Sequence, residues 1–438
     1  MGPSILPPGK ESAESYSEQS EADAPAVAES PRPQNSFVRK YGVFCLLGFA
    51  VLNGWIFWNL RNSILQGYGD FASFYPAAQV VRQGQSARLY DPGLQREMQQ
   101  QFPLSVRKRR GPLPYIRPPF EALLFVPLTY VKYPLACLLW TGINVILLLL
   151  VAAMLSKIRG QGPGVPGYAF IVLLSFTFFP VAFDLIVGQD SILVLLILAV
   201  GLGLLLRGKE FECGAVLALG LFKFHLIIPL LAIFALRKKG RLLLGSAAVA
   251  AMLLAISWMM VGSAGIWAYP RYLWRLNRDP ELGMVNVQSM PNIRGLLSLF
   301  LGTGSFPAAA HWFLGGMVVL GIGIASRSWR GQDRNSIIAA YCFSIVVTLA
   351  TSYYANSYDL TLLLLPLVLL GNAFWRGNAM DGWPRMLFLG SAACLLFTPL
   401  LWALALRTNQ FRWAAVGLLG LAMSIGAAEK YGRRVAEA

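Results

Sequence analysis

From Tyr41 to the C-terminus, apolar blocks of roughly the 20 residues needed to cross a bilayer follow one another with only short polar gaps. In hydrocarbon such a run satisfies its backbone N–H and C=O groups only as a helix. Composition agrees: 56% of the 438 residues are hydrophobic and 13% charged, where soluble domains average about 25% charged. The expected fold is therefore all-α, a polytopic membrane protein of about ten transmembrane helices plus re-entrant or half-helices.

The spans expected are 41–60, 134–155, 168–186, 191–206, 242–262, 308–325, 336–352, 359–375, 386–405 and 411–428. With the N-terminus inside, the inner connections 156–167, 207–241, 326–335, 376–385 and the tail after 428 all carry Lys or Arg, as cytoplasmic loops should. This map requires that 119–131, after Pro118-Pro119, lie at the outer surface as a half-helix. It also requires that 213–236, interrupted near Pro229, be a re-entrant pair on the inner side. Residues 1–40 hold six acids among Ser, Pro and Ala and lack the basic start and apolar core of a signal peptide. They read as a disordered cytoplasmic tail, 41–430 as one multi-spanning domain, and 431–438 as a second cytoplasmic tail. The expected location is the plasma membrane, a bacterial inner membrane.

The net charge of +16 is scattered between apolar blocks, which fits positive-inside bias and contact with membrane lipids and gives no nucleic-acid reading. Five cysteines without a CxxC pair and two histidines indicate neither a disulfide framework nor a metal site. The two long outer connections, 61–118 and 263–307, exceed what linkers need, and function is expected at that face.

Asp70, in Gly69-Asp70-Phe71-Ala72-Ser73-Phe74-Tyr75, opens an expected helix; it suits either an N-cap or a general base near the interface. Asp91 before Pro92 reads as structural, and Arg107-Lys108-Arg109-Arg110 as a solvated basic run or a grip on anionic headgroups. Arg117, beside Pro118-Pro119 and four residues before Glu121, suits either snorkelling or a bidentate phosphate contact. Gly188-Gln189-Asp190 between two apolar helices is either a tight turn or a binder of sugar or phosphate. Asp184 and Lys223 are costly inside apolar sequence and need partners or a cavity; Lys223 is weighed between structural pairing and a donor-phosphate contact, and His225 reads as a core residue. Gln288, Asn292 and Arg294 in the third outer loop, and Tyr358 and Asp359 in the fourth, supply amide, aromatic and charged groups suited to carbohydrate.

The motif Gly69-Asp70-Phe71-x-x-Phe74-Tyr75 with the later Leu89-Tyr90-Asp91, Pro118-Pro119 before an apolar run, Gly188-Gln189 followed by the Lys223 segment, and Tyr358-Asp359-Leu360 opening a late span together resemble glycosyltransferase family 87 across roughly residues 41–430. The resemblance implies a type-C glycosyltransferase that takes a sugar from a polyprenyl-phosphate donor on the outer side of the membrane, the known cases being α-mannosyltransferases acting on mannosylated lipids. By position it makes Asp70 the catalytic carboxylate. The family's mannosyltransferases also use a histidine near the late span, where this chain reads Asn356-Ser357-Tyr358-Asp359 without one, a departure that bears on the substrate. The implied partners are a polyprenyl-phosphate sugar donor and a lipid or glycan acceptor. No cofactor is expected, and a divalent metal is compatible but not required. The rival readings are a lipid or polysaccharide flippase, with Asp184, Lys223 and Asp359 lining a path, and a non-catalytic scaffold recruited through the acidic tail.

Overall fold

A computed structural model describes residues 2, 36–102, 112–160, 167–278, 286–304, 306–376 and 382–437. The acidic tail expected over 1–40 lies almost entirely outside the described residues, as does the basic run Arg107-Lys108-Arg109-Arg110. Two compact units make up the chain, Met1–Cys45 and Leu46–Ala438, and the second holds the helical bundle. All regular structure among the described residues is helical, with no strand; the chain is a polytopic all-α membrane protein.

Among the described residues, seven helical stretches are long and apolar enough to cross a membrane: Tyr41–Leu65, Tyr133–Arg159, Glu210–Leu236, Gly240–Leu276, Ala308–Ser328, Arg334–Thr351 and Phe411–Ala428. Two bent pairs raise this to nine, Tyr168–Thr177 with Phe179–Val187 (65°) and Trp383–Leu396 with Thr398–Arg407 (57°). The segments expected as spans at 191–206 and 359–375 are shorter apolar helices, Ser191–Leu205 and Ser357–Gly371. Each bend falls just before a proline, Pro180 or Pro399, which lacks the N–H that would continue the ladder. The carbonyls released at the first bend find side-chain donors. Asn53 Nδ2 donates to Phe176 O (2.9 Å) and Thr177 O (3.2 Å), and Thr398 Oγ1 donates to Thr177 O (2.6 Å). Trp402 Nε1 holds Asn53 in turn through Oδ1 (2.8 Å). This is how a broken helix remains tolerable at membrane depth.

The 213–236 segment lies within the apolar stretch Glu210–Leu236, which folds back on itself as the expected re-entrant pair does. Helix Glu210–Leu219 leads into the Gly220–Lys223 turn, where Lys223 leaves helical geometry (φ −105°, ψ 58°), and helix Phe224–Leu236 returns past Pro229, so that Lys239 Nζ meets Glu210 Oε1 at 2.7 Å. Small residues fix the segment against the following helix. A Cβ on Gly214 would stand 1.8 Å from Leu242 O, one on Gly245 2.0 Å from Phe211 O, and Ser246 Oγ donates to Gly214 O (3.0 Å). Such close backbone approach is the usual basis of helix association in lipid. Where a half-helix is expected at 119–131, three short helical turns follow one another, Pro119–Glu121, Ala122–Phe125 and Val126–Tyr130, with Ala122 and Phe125 fully buried.

Candidate active site

Asp70 begins the helix Phe71–Arg82 without capping it. The side chain bonds no backbone N–H of the first turn, and Ser73 instead bonds the Asp70 carbonyl through both N and Oγ (2.8 Å each). The carboxylate points across the fold, where Oδ2 accepts from Gln189 Nε2 at 2.6 Å. Two glycines permit a meeting 119 residues apart in sequence. A Cβ on Gly69 would lie 2.6 Å from Val187 O, and one on Gly188 2.7 Å from Phe71 Cβ. Gly188 also takes φ +69°, where side chains are disfavoured, and its carbonyl accepts from Trp140 Nε1 (3.1 Å). Phe71, Phe74, Phe125 and Trp140 pack as one aromatic cluster, Phe74–Phe125 and Phe125–Trp140 at 4.9 Å, and anchor the Asp70 turn beside the Val187–Gln189 bend.

Beneath this turn lies a buried ion network. Arg117 Nη2 donates to Gln189 Oε1 and to Asp190 Oδ1, both at 3.0 Å, with Glu121 3.6 Å from Nε. Lys223, fully buried, commits its three N–H groups to Asp190 Oδ1 (2.8 Å), Asp359 Oδ1 (2.7 Å) and Ser191 Oγ. Asp359 closes the opposite side by accepting from Asn356 N (2.8 Å), and Asp184 Oδ1 accepts from Ser191 N (3.2 Å). Tyr358 places its ring 5.0 Å from Lys223 Nζ and its hydroxyl 3.0 Å from Asn356 Nδ2. Burial pushes the Glu121 carboxyl well above the usual range, with Asp190 adding to the effect against Arg117. Burial acts on Asp190 in the same sense, but Arg117 and Lys223 outweigh it and hold that carboxyl low.

Asp70, Arg117, Gln189, Asp190, Lys223, Tyr358 and Asp359 thus come together. Asn292 and Arg294 form an adjoining cluster. Asn292 Nδ2 donates to Ser352 O (2.9 Å) and Oδ1 accepts from Gly295 N (2.9 Å). Arg294 Nη1 donates to Tyr353 O (3.0 Å), with the guanidinium 4.0 Å from the Tyr353 ring and 5.1 Å from Tyr354's. His225, two residues from Lys223, links the clusters with its ring 6.4 Å from Tyr354's. Gln288 pairs instead with Asn409 Nδ2 (3.2 Å). Asp91 caps the helix Pro92–Met98 through Gly93 N (2.8 Å) and pairs with Arg88 (2.9 Å), the structural role its sequence suggests.

Sequence reading missed Gln95 and Gln99. Gln95 donates to Leu89 O (2.6 Å) and accepts from Tyr115 N (3.1 Å) and Tyr272 Oη (3.2 Å). Gln99 Oε1 accepts from Leu113 N (2.8 Å). One helical turn apart, the pair holds the chain entering Arg117, and Tyr90 Oη fixes the Arg117 carbonyl at 2.8 Å. Two glutamines at i, i+4 on a helix facing a polar loop were the available signal. Ser191, the third acceptor of Lys223, carried none.

The profile of glycosyltransferase family 87 matches residues 115–352. Comparison with curated proteins and with solved structures gives no match. The matched stretch holds Arg117, Gln189, Asp190 and Lys223 and covers more than half the chain, while Asp70 and Asp359, outside it, are joined to it by direct hydrogen bonds. The chain belongs to glycosyltransferase family 87, and is a membrane glycosyltransferase.

Proposed function

We propose that the chain is a multi-pass hexosyltransferase of the plasma membrane, with both termini cytoplasmic. It moves a hexose, mannose in the first instance, from a polyprenyl-phosphate donor to a lipid or glycan acceptor on the extracytoplasmic side. The observation carrying this reading is a contrast in exposure among the acids of the network. Glu121, Asp184, Asp190 and Asp359 are at most 2% exposed, whereas Asp70 is only half-buried and so can meet a substrate while fixed by Gln189. An acceptor hydroxyl gives its proton to Asp70 as its oxygen bonds the anomeric carbon. The bond from that carbon to the phosphate oxygen breaks, and polyprenyl phosphate leaves as the anion.

A fixed guanidinium aimed at the departing charge lowers the barrier without reorganising. Arg294, whose guanidinium donates to Tyr353 O beside the Tyr353 and Tyr354 rings, is the phosphate contact in this scheme. Arg117 and Lys223 are engaged by carboxylates and hold the site's frame. The reaction as written calls for no resident cofactor.

The test is transfer by purified protein in lipid nanodiscs from polyprenyl-phosphate mannose to a mannosylated lipid, with polyprenyl-phosphate glucose as the alternative donor. Asp70→Asn keeps size and shape and removes the base. Transfer should fall by about 10²–10⁴-fold, the usual contribution of a positioned acid or base. A folded variant with wild-type turnover would refute the assignment.

A further inference from the structure

We infer that Gln189 is the positioning residue for the Asp70 carboxylate and not a ligand for sugar or phosphate. This rests on Asp70 acting as the base. A carboxamide presents one accepting and one donating end, and here neighbours of opposite demand decide which end goes where. A guanidinium only donates, so Arg117 Nη2, at 3.0 Å, takes the Gln189 oxygen. The NH₂ is thereby turned to Asp70 Oδ2, at 2.6 Å. The flipped amide would set donor against donor and acceptor against carboxylate, so the orientation follows from chemistry and does not depend on distinguishing O from N. Both ends are engaged and the side chain is 4% exposed, which leaves little of it for a substrate. The backbone is fixed as well, by the left-handed turn at Gly188 and the Trp140 bond to its carbonyl.

Gln189 therefore passes the fixed position of a buried guanidinium to a half-buried carboxylate. A donor bonded to the charged form favours that form, so the amide also keeps Asp70 ready to accept a proton. The titratable groups bearing on Asp70 include Tyr358, whose ring lies over Lys223, and Arg117 through the amide.

Gln189→Leu removes donor and acceptor at similar volume; Gln189→Glu keeps an acceptor for Arg117 and replaces the donor by a second carboxylate. Steady-state transfer from polyprenyl-phosphate mannose and from polyprenyl-phosphate glucose is measured against pH, with the melting temperature of each variant as a check on folding. For Gln189→Leu, kcat should fall about tenfold with KM little changed, and the acidic limb of the kcat profile should move up by about one pH unit, the equivalent of one lost charge-assisted hydrogen bond. Gln189→Glu should lose more. A folded Gln189→Leu that raises KM and leaves kcat and the acidic limb in place overturns the inference and returns Gln189 to substrate binding. Asp70→Asn separates the two claims: if it is inactive while Gln189→Leu is unmoved, only the positioning role fails; if it stays active, the base assignment fails and the positioning role with it.

Discussion

At the scale of single residues, the buried network is short of positive charge. Among the described residues, four buried carboxyls, of Glu121, Asp184, Asp190 and Asp359, face two buried cations, Arg117 and Lys223. Uncompensated buried charge is expensive enough that such groups neutralise instead, so protons must make up part of the difference. Glu121 is the position where burial and Asp190 together raise proton affinity, while Asp190 stays ionised between its cations. A carboxyl raised in the folded state takes up a proton on folding. Its contribution to stability is full below the ordinary Glu value, about 4.3, and is lost as pH rises through the raised value. The wild-type melting temperature in nanodiscs should therefore decline between pH 5 and 9 by a component that Glu121→Gln removes, since a neutral amide needs no proton. Glu121→Gln should be at least as stable as wild type at pH 9; an unchanged pH slope would mean that Glu121 is ionised in the fold.

At the scale of elements, the site depends on two turns, Gly69–Asp70 and Gly188–Gln189, seated on each other. Gly188 and Gly84 offer a matched comparison. Both have positive φ, +69° and +73°, but a Cβ at Gly84 meets nothing within 4 Å while one at Gly188 meets Phe71. Gly84→Ala should thus cost only backbone strain, about 1–2 kcal/mol. Gly188→Ala adds the collision that pushes the Asp70 turn away and should lower both melting temperature and transfer. Equal losses in the two variants would show that the close approach does not matter. These turns also mark the limit of what is legible in the sequence. Periodic apolar runs announce helices because lipid leaves the backbone no alternative, and Gly188-Gln189-Asp190 announces a bend by its chemistry. Nothing local to Asp70 says that its partner is Gln189, because a pairing over 119 residues is a property of the packed fold. A cap is equally compatible with the residues around Asp70, and only the folded structure shows that it bonds no first-turn N–H. Lys223 requires a partner on cost alone, yet its identity as a bridge between Asp190 and Asp359 is equally hidden.

At the scale of the whole molecule, the ends of the helices decide which side the chemistry faces. Helix Tyr133–Arg159 starts with Tyr133 against Phe71, ring centroids 5.6 Å apart, and finishes at Arg159. Helix Ser191–Leu205 starts in the ion network and runs toward Arg207 and Lys209. Arg334 reaches Ile158 O (2.6 Å), and its helix leads back to Asn356–Asp359 at the site. One end thus gathers Asp70, Gln189 and Asp359, and the other gathers Arg159, Arg207, Lys209 and Arg334. Short loops rich in Lys and Arg stay cytoplasmic, so the end bearing Asp70 should face outward. Single cysteines test this at two exposed loop positions. Gln85→Cys, beyond the Asp70 helix, should react with a membrane-impermeant maleimide in intact cells. Lys209→Cys should react only after permeabilisation, with wild type as the control for the native thiols, of which Cys137, Cys213 and Cys342 are buried. The reverse pattern would put Asp70 on the cytoplasmic side, where donor and acceptor would have to be supplied from within, and would overturn the extracytoplasmic reaction while leaving the geometry of the site intact.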